Sequence, residues 1–331
     1  MIKNLPSVSI IAPVRNEAAY IERCVLSILR QDYGGEMEIL VVDGQSTDRT
    51  REIVQGFVCQ NPNLQLLDNP GKIVPIGMNI ALRQAKGEII IRVDGHCQIA
   101  PDYVRRCVEH IQFDNIDGVG GPMETIGETD MAKAVAMGMS SPFGVGNSAF
   151  RTISGQTMMA DTVPFPAYTR EIVRRAGFYD EELMRNQDDE YNYRIRSMGG
   201  KILLAADIQS TYFSRTSLRG LWRQYFQYGF YKIRVLQKHP RQMSVRQFVP
   251  PVFVLALLFS ILLALIPFLR FLSPIVPVSY LMANILASFY TAKKRGWKFV
   301  LYLPFIFAIL HLSYGAGFVW GSVYFANRWG D

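Results

Sequence analysis

Ile89-Ile90-Ile91-Arg92-Val93-Asp94-Gly95-His96-Cys97 is the stretch that decides the fold, because an apolar β-branched run ends abruptly in polar residues. Such a run predicts a buried strand, and α/β sheets bind ligands beyond the carboxyl ends of their strands. Asp94 and His96 lie two residues apart, so on a continuing strand they would point the same way. A carboxylate and an imidazole at one sheet edge suit a divalent cation that holds a phosphate. A strand ending in a turn, with His96 merely exposed, is the alternative reading.

The pattern of a strand followed by polar residues recurs earlier in the chain. Predicted strands at 8–14, 38–43 and 64–67 are each followed by polar residues and then by apolar residues at helical spacing. Repeated strand–helix units predict an α/β fold with a doubly wound, mostly parallel sheet. No strand is followed by G-x-G-x-x-G and no P-loop motif occurs, which argues against a dinucleotide oxidoreductase or a P-loop enzyme.

Three long uncharged segments in the last third of the chain, at 248–269, 271–290 and 299–325, predict membrane helices. Each is long enough to cross a hydrocarbon core, which takes about 20 residues. A basic cluster at 293–298 separates the second segment from the third and by the positive-inside rule is cytoplasmic. The sequence therefore predicts a cytoplasmic domain over 1–240 and a multi-pass region over 241–331, in a bacterial-type inner membrane. Buried core helices, or a re-entrant hairpin at the prolines, are the alternatives.

Charge and cysteine content narrow the choice of partners. The formal net charge of +7 fits attraction to anionic lipids and anionic substrates. Nucleic acid is not expected as a partner, because no recognised reader motif accompanies the charge. The four cysteines form no Cys-x-x-Cys pair, so we expect reduced thiols rather than a disulfide framework or a zinc site.

Three stretches taken together carry a family resemblance. Pro13-Val14-Arg15-Asn16-Glu17, Asp43-Gly44-Gln45-Ser46-Thr47-Asp48 and the Asp94-Gly95-His96 strand end resemble family 2 glycosyltransferases with the GT-A fold. The likeness is greatest to the membrane-associated glucosyltransferases of succinoglycan and exopolysaccharide assembly, and it covers about residues 8–232. It implies an inverting sugar transfer from a nucleotide sugar, usually a UDP-sugar, assisted by Mg²⁺ or Mn²⁺.

The resemblance also implies roles for individual residues. Asp94 would hold the metal directly or through water, and His96 stands where many relatives carry a second aspartate. The residues expected at the nucleotide sugar are Pro13, Arg15, Glu17, Asp43, Ser46, Lys72, Asn79 and Asp94.

A second segment with candidate catalytic residues is Asn186-Gln187-Asp188-Asp189-Glu190, which places three acidic residues at the start of a predicted helix. The helix macrodipole favours acids there, which is the alternative explanation. An inverting transfer needs a carboxylate base that deprotonates the acceptor hydroxyl. The stretch resembles the Glu-Asp motif of the family with Gln187 in the Glu position, which makes Asp188 the expected base and Asp189 the second candidate.

Aromatic and basic residues alternate along a predicted helix at about 218–236, which favours a position at the membrane surface. Core packing is the alternative for this helix. Arg215 and Arg223 are candidates to neutralise a diphosphate of the donor or of a lipid carrier. Gln224 begins a segment that resembles the Gln-x-x-Arg-Trp motif of processive family members, but both diagnostic residues are changed.

These features together predict the addition of a single sugar to a membrane-borne acceptor. The expected acceptor is a polyprenyl-diphosphate-linked glycan of exopolysaccharide or cell-surface glycan synthesis. A synthase that loads sugar directly onto polyprenyl phosphate is an alternative within the same enzyme class. A non-catalytic membrane scaffold of the same fold is an alternative from a different class.

Overall fold

The computed structural model describes residues 5–146, 148–152, 155–214 and 217–329, which form two compact units. The first, called the sheet unit here, lies within 1–124 and 149–213. The second, the helical unit, lies within 125–148 and 214–331. This division differs from the expected boundary near residue 240, because the helix at 218–238 groups with the apolar helices. The extent of the catalytic domain stays a prediction.

The strands are short and alternate with helices through the first two thirds of the chain. The strands are β1 Val8–Val14, β2 Met37–Asp43, β3 Leu64–Asp68, β4 Ile89–Arg92, β5 Cys97–Ile99, β6 Gly118–Gly120, β7 Met123–Ile126, β8 Met158–Met159, β9 Ala167–Thr169, β10 Ile202–Leu204 and β11 Ser210–Phe213. The helices are α1 Ile21–Leu29, α2 Thr50–Val58, α3 Val74–Gln84, α4 Tyr103–Phe113, α5 Asp130–Met139, α6 Pro142–Val145, α7 Ala149–Thr152, α8 Arg170–Ala176, α9 Gln187–Ser197, α10 Leu218–Lys238, α11 Val245–Ala264, α12 Ile275–Arg295 and α13 Leu303–Tyr324.

An eight-stranded mixed sheet with the order β3-β2-β1-β4-β9-β6-β10-β8 forms the centre of the sheet unit. The first four strands in this order are parallel, whereas β9 runs antiparallel to both β4 and β6. All seven residues of β1 are buried, as expected of a parallel strand covered by helices on both faces. The prediction of a doubly wound, mostly parallel sheet is confirmed.

The register of β1 determines which loops meet at the carboxyl edge. Val14 is paired with Asp43 of β2, and Ile11 is paired with Arg92 of β4. The loops that follow these three strands therefore leave the sheet side by side, which is where open α/β sheets bind ligands.

The expectation that Asp94 and His96 extend a continuous strand is wrong. Strand β4 ends at Arg92, residues 93–94 are irregular, and residues 95–96 form a turn before β5 begins at Cys97. Strand β5 then pairs antiparallel with β11, outside the main sheet. Gly95 packs closely on β1 in this connection: a Cβ on Gly95 would lie 2.8 Å from Val14 Cγ1.

Three helices in the helical unit are long and apolar enough to cross a membrane, namely 245–264, 270–295 and 303–324. The first begins at Val245, before the uncharged segment, where the Ser244 N–H donates to Gln247 Oε1 at 3.1 Å, which is one half of a capping box. The second extends to Arg295, since basic residues are favoured in the last turn of a helix. The three predicted segments are thus right in number and shifted by a few residues at their ends.

Helix α10 packs against α13 with almost no side chain between the two backbones. A Cβ on Gly229 of α10 would lie 2.0 Å from the Tyr314 carbonyl oxygen, and a Cβ on Gly317 of α13 would lie 2.0 Å from the Phe226 carbonyl oxygen. Small residues permit such close approach of helices in membranes. The buried face of α10 is therefore a packing face; whether its other face lies at the membrane surface stays a prediction.

Replacing Gly229 with alanine is expected to lower the melting temperature of the full chain in detergent, because the new methyl group forces α10 away from α13. Overpacking of this kind costs about 1–3 kcal/mol. Gly56 on α2 is the matched control, because a Cβ there meets nothing within 4 Å. Gly56→Ala should raise stability by about 0.5–1 kcal/mol through helix propensity alone. A rise in melting temperature for Gly229→Ala would contradict the close packing.

Candidate active site

Hydrogen bonds join the loops that follow β1 and β2 into one structure. The backbone N–H of Asn16 donates to Ser46 Oγ at 2.9 Å, and the Asn16 side chain accepts from the Thr47 N–H at 2.8 Å. The N–H of Glu17 donates to Thr50 Oγ1 at 2.7 Å. Because each loop satisfies polar groups of the other, neither can shift alone, and Glu17 is held at the carboxyl edge of the sheet.

Left-handed backbone conformations are concentrated around this edge. Asn16, Gln45 and Lys72, in the loops after β1, β2 and β3, have φ values of 55°, 54° and 63°, and Asn186 before α9 has φ 63°. A non-glycine residue pays a conformational cost in this region, and such residues cluster at functional sites. The carboxyl edge thus combines strained loops with the predicted site residues.

Asp43 organises its own turn. Its carboxylate is 1% exposed and accepts a hydrogen bond from Ser46 Oγ at 2.5 Å. Arg51 Nη1 lies 3.5 Å from Asp43 Oδ2 and 2.6 Å from Asp68 Oδ1. Asp43 and Ser46 are therefore brought together as expected, but the described contacts are internal. A contact from Asp43 to a base stays a prediction.

Two of the expected donor residues lie side by side on the surface. Arg15 and Lys72 are exposed, whereas Pro13 is buried within β1. A Cβ on Gly44 would touch both neighbours, at 3.3 Å from Arg15 Cβ and 3.3 Å from the Lys72 carbonyl oxygen. The Arg15 side chain and the Lys72 backbone thus flank this glycine, and the positive charge of the two exposed residues suits an anionic ligand.

Asn79 has a structural role in the described contacts. Its side chain accepts from the N–H of Tyr179 at 2.8 Å and donates to the Tyr179 carbonyl at 2.9 Å and to Glu181 Oε1 at 2.8 Å. Asn79 is 1% exposed. It ties α3 to the segment before α9, so its expected contact with the nucleotide sugar receives no support from this geometry.

His96 is held by Glu17 across the two loops. His96 Nδ1 lies 2.9 Å from Glu17 Oε1, and the Tyr212 ring packs against the imidazole with a centroid distance of 5.0 Å. With the Nδ1 proton in this hydrogen bond, a neutral His96 would offer its Nε2 lone pair to a ligand. Orientation of a metal-binding histidine by a carboxylate at its other nitrogen is the usual arrangement.

Arg92 links the two acidic groups that the sequence singled out. Its Nε and Nη2 atoms lie 2.9 Å and 2.8 Å from Asp94 Oδ1, and its Nη1 donates to Asp188 Oδ1. Burial alone would raise the pKa of Asp94, but the Arg92 charge, and then His96, more than offset it, so the pKa lies below its ordinary value. Asp94 is therefore an ionised carboxylate at neutral pH.

Asp188, rather than Asp189, is the acid that contacts Arg92. The Asp188 side chain is 36% exposed, so it remains open to an incoming group. Gln187 beside it is buried, and its Oε1 atom has no hydrogen-bond partner. One turn further along α9, Arg194 pairs with Glu190, with Nε 2.5 Å from Oε1.

Asp94 and His96 fit a divalent metal that takes its other ligands from substrate and water. Asp94 supplies an ionised carboxylate, of which only the Oδ1 atom contacts Arg92. His96 supplies its Nε2 atom. Over the residues that the structure describes, no group of three or more His, Cys, Asp or Glu side chains is preassembled for a metal. Mg²⁺ characteristically binds through one or two carboxylates together with substrate phosphates, so Asp94 meets this requirement and His96 would be a further ligand.

The remaining predicted residues lie elsewhere. Arg215 falls outside the described residues. Arg223 is exposed on α10, and Gln224 is buried there, with its Nε2 3.0 Å from Tyr228 Oη. Both belong to the helical unit, and their contact with a diphosphate or an acceptor stays a prediction.

Comparison with known proteins identifies the family. The profile described as Glycosyl transferase family 2 matches residues 9–180, just over half of the chain. The chain belongs to glycosyltransferase family 2. It is 29% identical over 312 residues to the succinoglycan biosynthesis protein ExoA of Rhizobium meliloti, covering 93% of each chain. The family resemblance found in the sequence is confirmed.

A second relative and two solved structures extend the comparison. The chain is 25% identical to a Methanococcus voltae enzyme named dolichyl N-acetyl-alpha-D-glucosaminyl phosphate 3-beta-D-2,3-diacetamido-2,3-dideoxy-beta-D-glucuronosyltransferase, covering 96% of this chain and 97% of that one. The mannosyltransferase PcManGT of Pyrobaculum calidifontis, in complex with GDP-Man and Mn²⁺, has a TM-score of 0.60 at 19% identity, covering 96% and 88% of the two chains. GalNAc-T7 with UDP, GalNAc and Mn²⁺ has a TM-score of 0.53 at 17% identity, covering 73% and 52%. These structures establish the GT-A fold.

Arg92 is the site residue that sequence reasoning overlooked. It stands within an apolar β-branched run, where an arginine is almost never buried unless it is paired. That signal predicts an acidic partner, but the pairing with Asp188 spans 96 positions in sequence and depends on the packing of α9.

Asn79→Ala is expected to destabilise the sheet unit without weakening nucleotide binding by the folded protein. The substitution leaves the buried N–H and carbonyl of Tyr179 unpaired, which costs about 1–3 kcal/mol per group. Asn61→Ala is the matched control, because the Asn61 amide caps only Phe57 O at a half-buried position. We expect the control to stay within about 0.5 kcal/mol. Thermal unfolding and titration with a fluorescent nucleotide separate the two effects; weaker nucleotide binding at unchanged stability would place Asn79 at the donor instead.

Proposed function

We propose that the chain transfers one sugar, with inversion, from a nucleoside diphosphate sugar to a lipid-linked glycan acceptor at a membrane. The observation that carries the proposal is the pairing of Asp94 and Asp188 with the same guanidinium. The pairing joins the residue expected at the donor to the residue expected to act as base. A half-exposed carboxylate close to a donor site is the arrangement that an inverting transfer requires.

The proposed reaction is a single displacement at the anomeric carbon of the donor sugar. The acceptor hydroxyl oxygen forms a bond to that carbon, the bond from the carbon to the diphosphate oxygen breaks, and the hydroxyl proton passes to Asp188. The nucleoside diphosphate leaves with the bonding electron pair. A metal held by Asp94 and His96 Nε2 would offset the negative charge of the diphosphate. Asp189 is the second candidate for the base.

A divalent metal and a nucleotide donor are supported by the fold neighbours, which were solved with Mn²⁺ and with GDP-Man or UDP. We propose Mg²⁺ or Mn²⁺ as the cofactor and a UDP-sugar as the donor, with a GDP-sugar as the competing choice that the assay includes. Arg15 and Lys72 supply positive charge at the exposed edge.

The lipid-linked acceptor is supported by the names of the two relatives and by the apolar helices. One relative is named for succinoglycan biosynthesis and the other for transfer to a dolichyl phosphate-linked sugar. Three helices long and apolar enough to cross a membrane would keep the enzyme beside such an acceptor. We therefore propose exopolysaccharide or cell-surface glycan synthesis on a polyprenyl-diphosphate carrier, with the sheet unit and the basic loop at 293–298 on the cytoplasmic side.

To test this proposal, membranes that contain the full chain are incubated with one radiolabelled donor at a time. The donors are UDP-glucose, UDP-galactose, UDP-N-acetylglucosamine and GDP-mannose. We expect label from one donor to enter the lipid extractable by chloroform and methanol. Asp188→Asn should slow this transfer by about 10²–10⁴-fold, which is the usual contribution of a general base. Asp189→Asn, at the neighbouring position, is the matched control and should keep most of the activity.

The products distinguish the alternatives. A product that carries one sugar directly on polyprenyl phosphate would favour the synthase. Nucleotide binding without transfer or hydrolysis of any donor would favour the scaffold. Normal transfer by the Asp188→Asn and Asp189→Asn double variant would show that neither acid is the base.

A further inference from the structure

We propose that Arg92 is a positioning residue that holds the base Asp188 in a fixed relation to Asp94 at the donor site. The inference rests on the proposed function, since it takes Asp188 as the base. Arg92 itself is 5% exposed, so it is not offered to substrate. What it does must therefore pass through the two carboxylates that it contacts.

The geometry of these contacts requires an arginine. Nε and Nη2 both donate to Asp94 Oδ1, at 2.9 Å and 2.8 Å, while Nη1 on the other side of the fork donates to Asp188 Oδ1. A guanidinium presents its donors in one rigid plane, so fixing one carboxylate fixes the direction to the other. A lysine ammonium carries the same charge at a single point and cannot impose that relation.

The tyrosine side chains packed next to Arg92 prevent the guanidinium from moving towards the core. The gap next to it is only about 10 Å³, at the lower limit for one water molecule. Tyr179 and Tyr191 stack there at a centroid distance of 4.0 Å, and Tyr168 packs against Tyr191 at 5.7 Å. Asn79 fixes the backbone of Tyr179 from the far side. The arginine is therefore a rigid connection rather than a mobile charge.

In the part of the chain that the structure describes, the other described contact of Asp188 is weaker than the one from Arg92. The side-chain amide of Gln187 lies 3.4 Å from Asp188 Oδ2, which is a long contact. Asp94 comes from the turn after β4, whereas Asp188 comes from the first turn of α9. Without Arg92, the carboxylates of Asp94 and Asp188 are still present, but the distance and direction between them are no longer fixed.

Three variants of the full chain in detergent test the role: Arg92→Lys, Asp188→Asn and the two together. Arg170→Lys is the matched control, because Arg170 is also partly buried in the sheet unit but donates only to the backbone carbonyls of Gly87 and Ala85. The first readout is calorimetric binding of UDP and of GDP with Mn²⁺. The second is release of UDP from UDP-glucose, or of GDP from GDP-mannose, with excess protein and water in place of the acceptor.

Arg92→Lys should slow nucleotide release by about 100-fold, because misplacing a reacting group by about 1 Å costs about that much in rate. The Mn²⁺-dependent affinity for the nucleotide should change by less than about threefold. The double variant should be no slower than Asp188→Asn alone, because Arg92 acts through Asp188. Arg170→Lys should keep the turnover of the folded protein.

Other results overturn the inference in distinguishable ways. Wild-type turnover in Arg92→Lys would show that charge suffices without the fork. Independent, multiplicative losses in the double variant would show that Arg92 does not act through Asp188. A parallel loss of nucleotide binding and thermal stability would make Arg92 a purely structural residue. Full turnover in Asp188→Asn, or no nucleotide binding by the wild-type chain, would refute the proposed function and this inference with it.

Discussion

A buried positive charge has to be paired, and this requirement organises the centre of the sheet unit. Arg92 enters the sheet on the same strand as three buried isoleucines, and an unpaired guanidinium there would be prohibitively costly. Its pairing draws the turn after β4 and the first turn of α9 to the same point. Residues that are distant in sequence thereby meet at the carboxyl edge of the parallel strands, and the candidate active site is a consequence of that pairing.

The rest of the edge is arranged so that this point stays rigid. The β1 and β2 loops share their hydrogen bonds, and Gly95 allows the β4 turn to pack directly on Val14. Glu17 can then reach the imidazole of His96 and leave one ring nitrogen available. The resulting site combines the ionised carboxylate of Asp94, the imidazole of His96 and the partly exposed carboxylate of Asp188.

Much of the fold could be predicted from the sequence, because buried parallel strands have a strong local pattern. β1 was predicted with its observed limits, and the three apolar helices were predicted in number. The carboxyl end of β4 and the ends of the apolar helices differ from the prediction, since such ends depend on contacts, as at Ser244 and Gln247, rather than on apolar content alone. The family motifs lie in loops that the structure brings to one edge of the sheet, and the roles of their residues stay predictions. The internal bonding of Asn79 and the pairing of Arg92 with Asp188 depend on partners about one hundred positions away, which a local pattern does not encode. Asp43 instead accepts a hydrogen bond from Ser46 within its own turn.

The central claim is that Asp94 and His96 hold a divalent metal for a nucleotide donor. Pulsed electron paramagnetic resonance of Mn²⁺, with UDP or GDP and with ¹⁵N-labelled histidine, tests it most directly. The chain has four histidines, so a variant is needed to assign the signal. The account predicts nucleotide-dependent Mn²⁺ binding with a coupling to one histidine nitrogen that is lost in His96→Gln. Nucleotide-bound Mn²⁺ with no histidine coupling in the wild-type chain would contradict it.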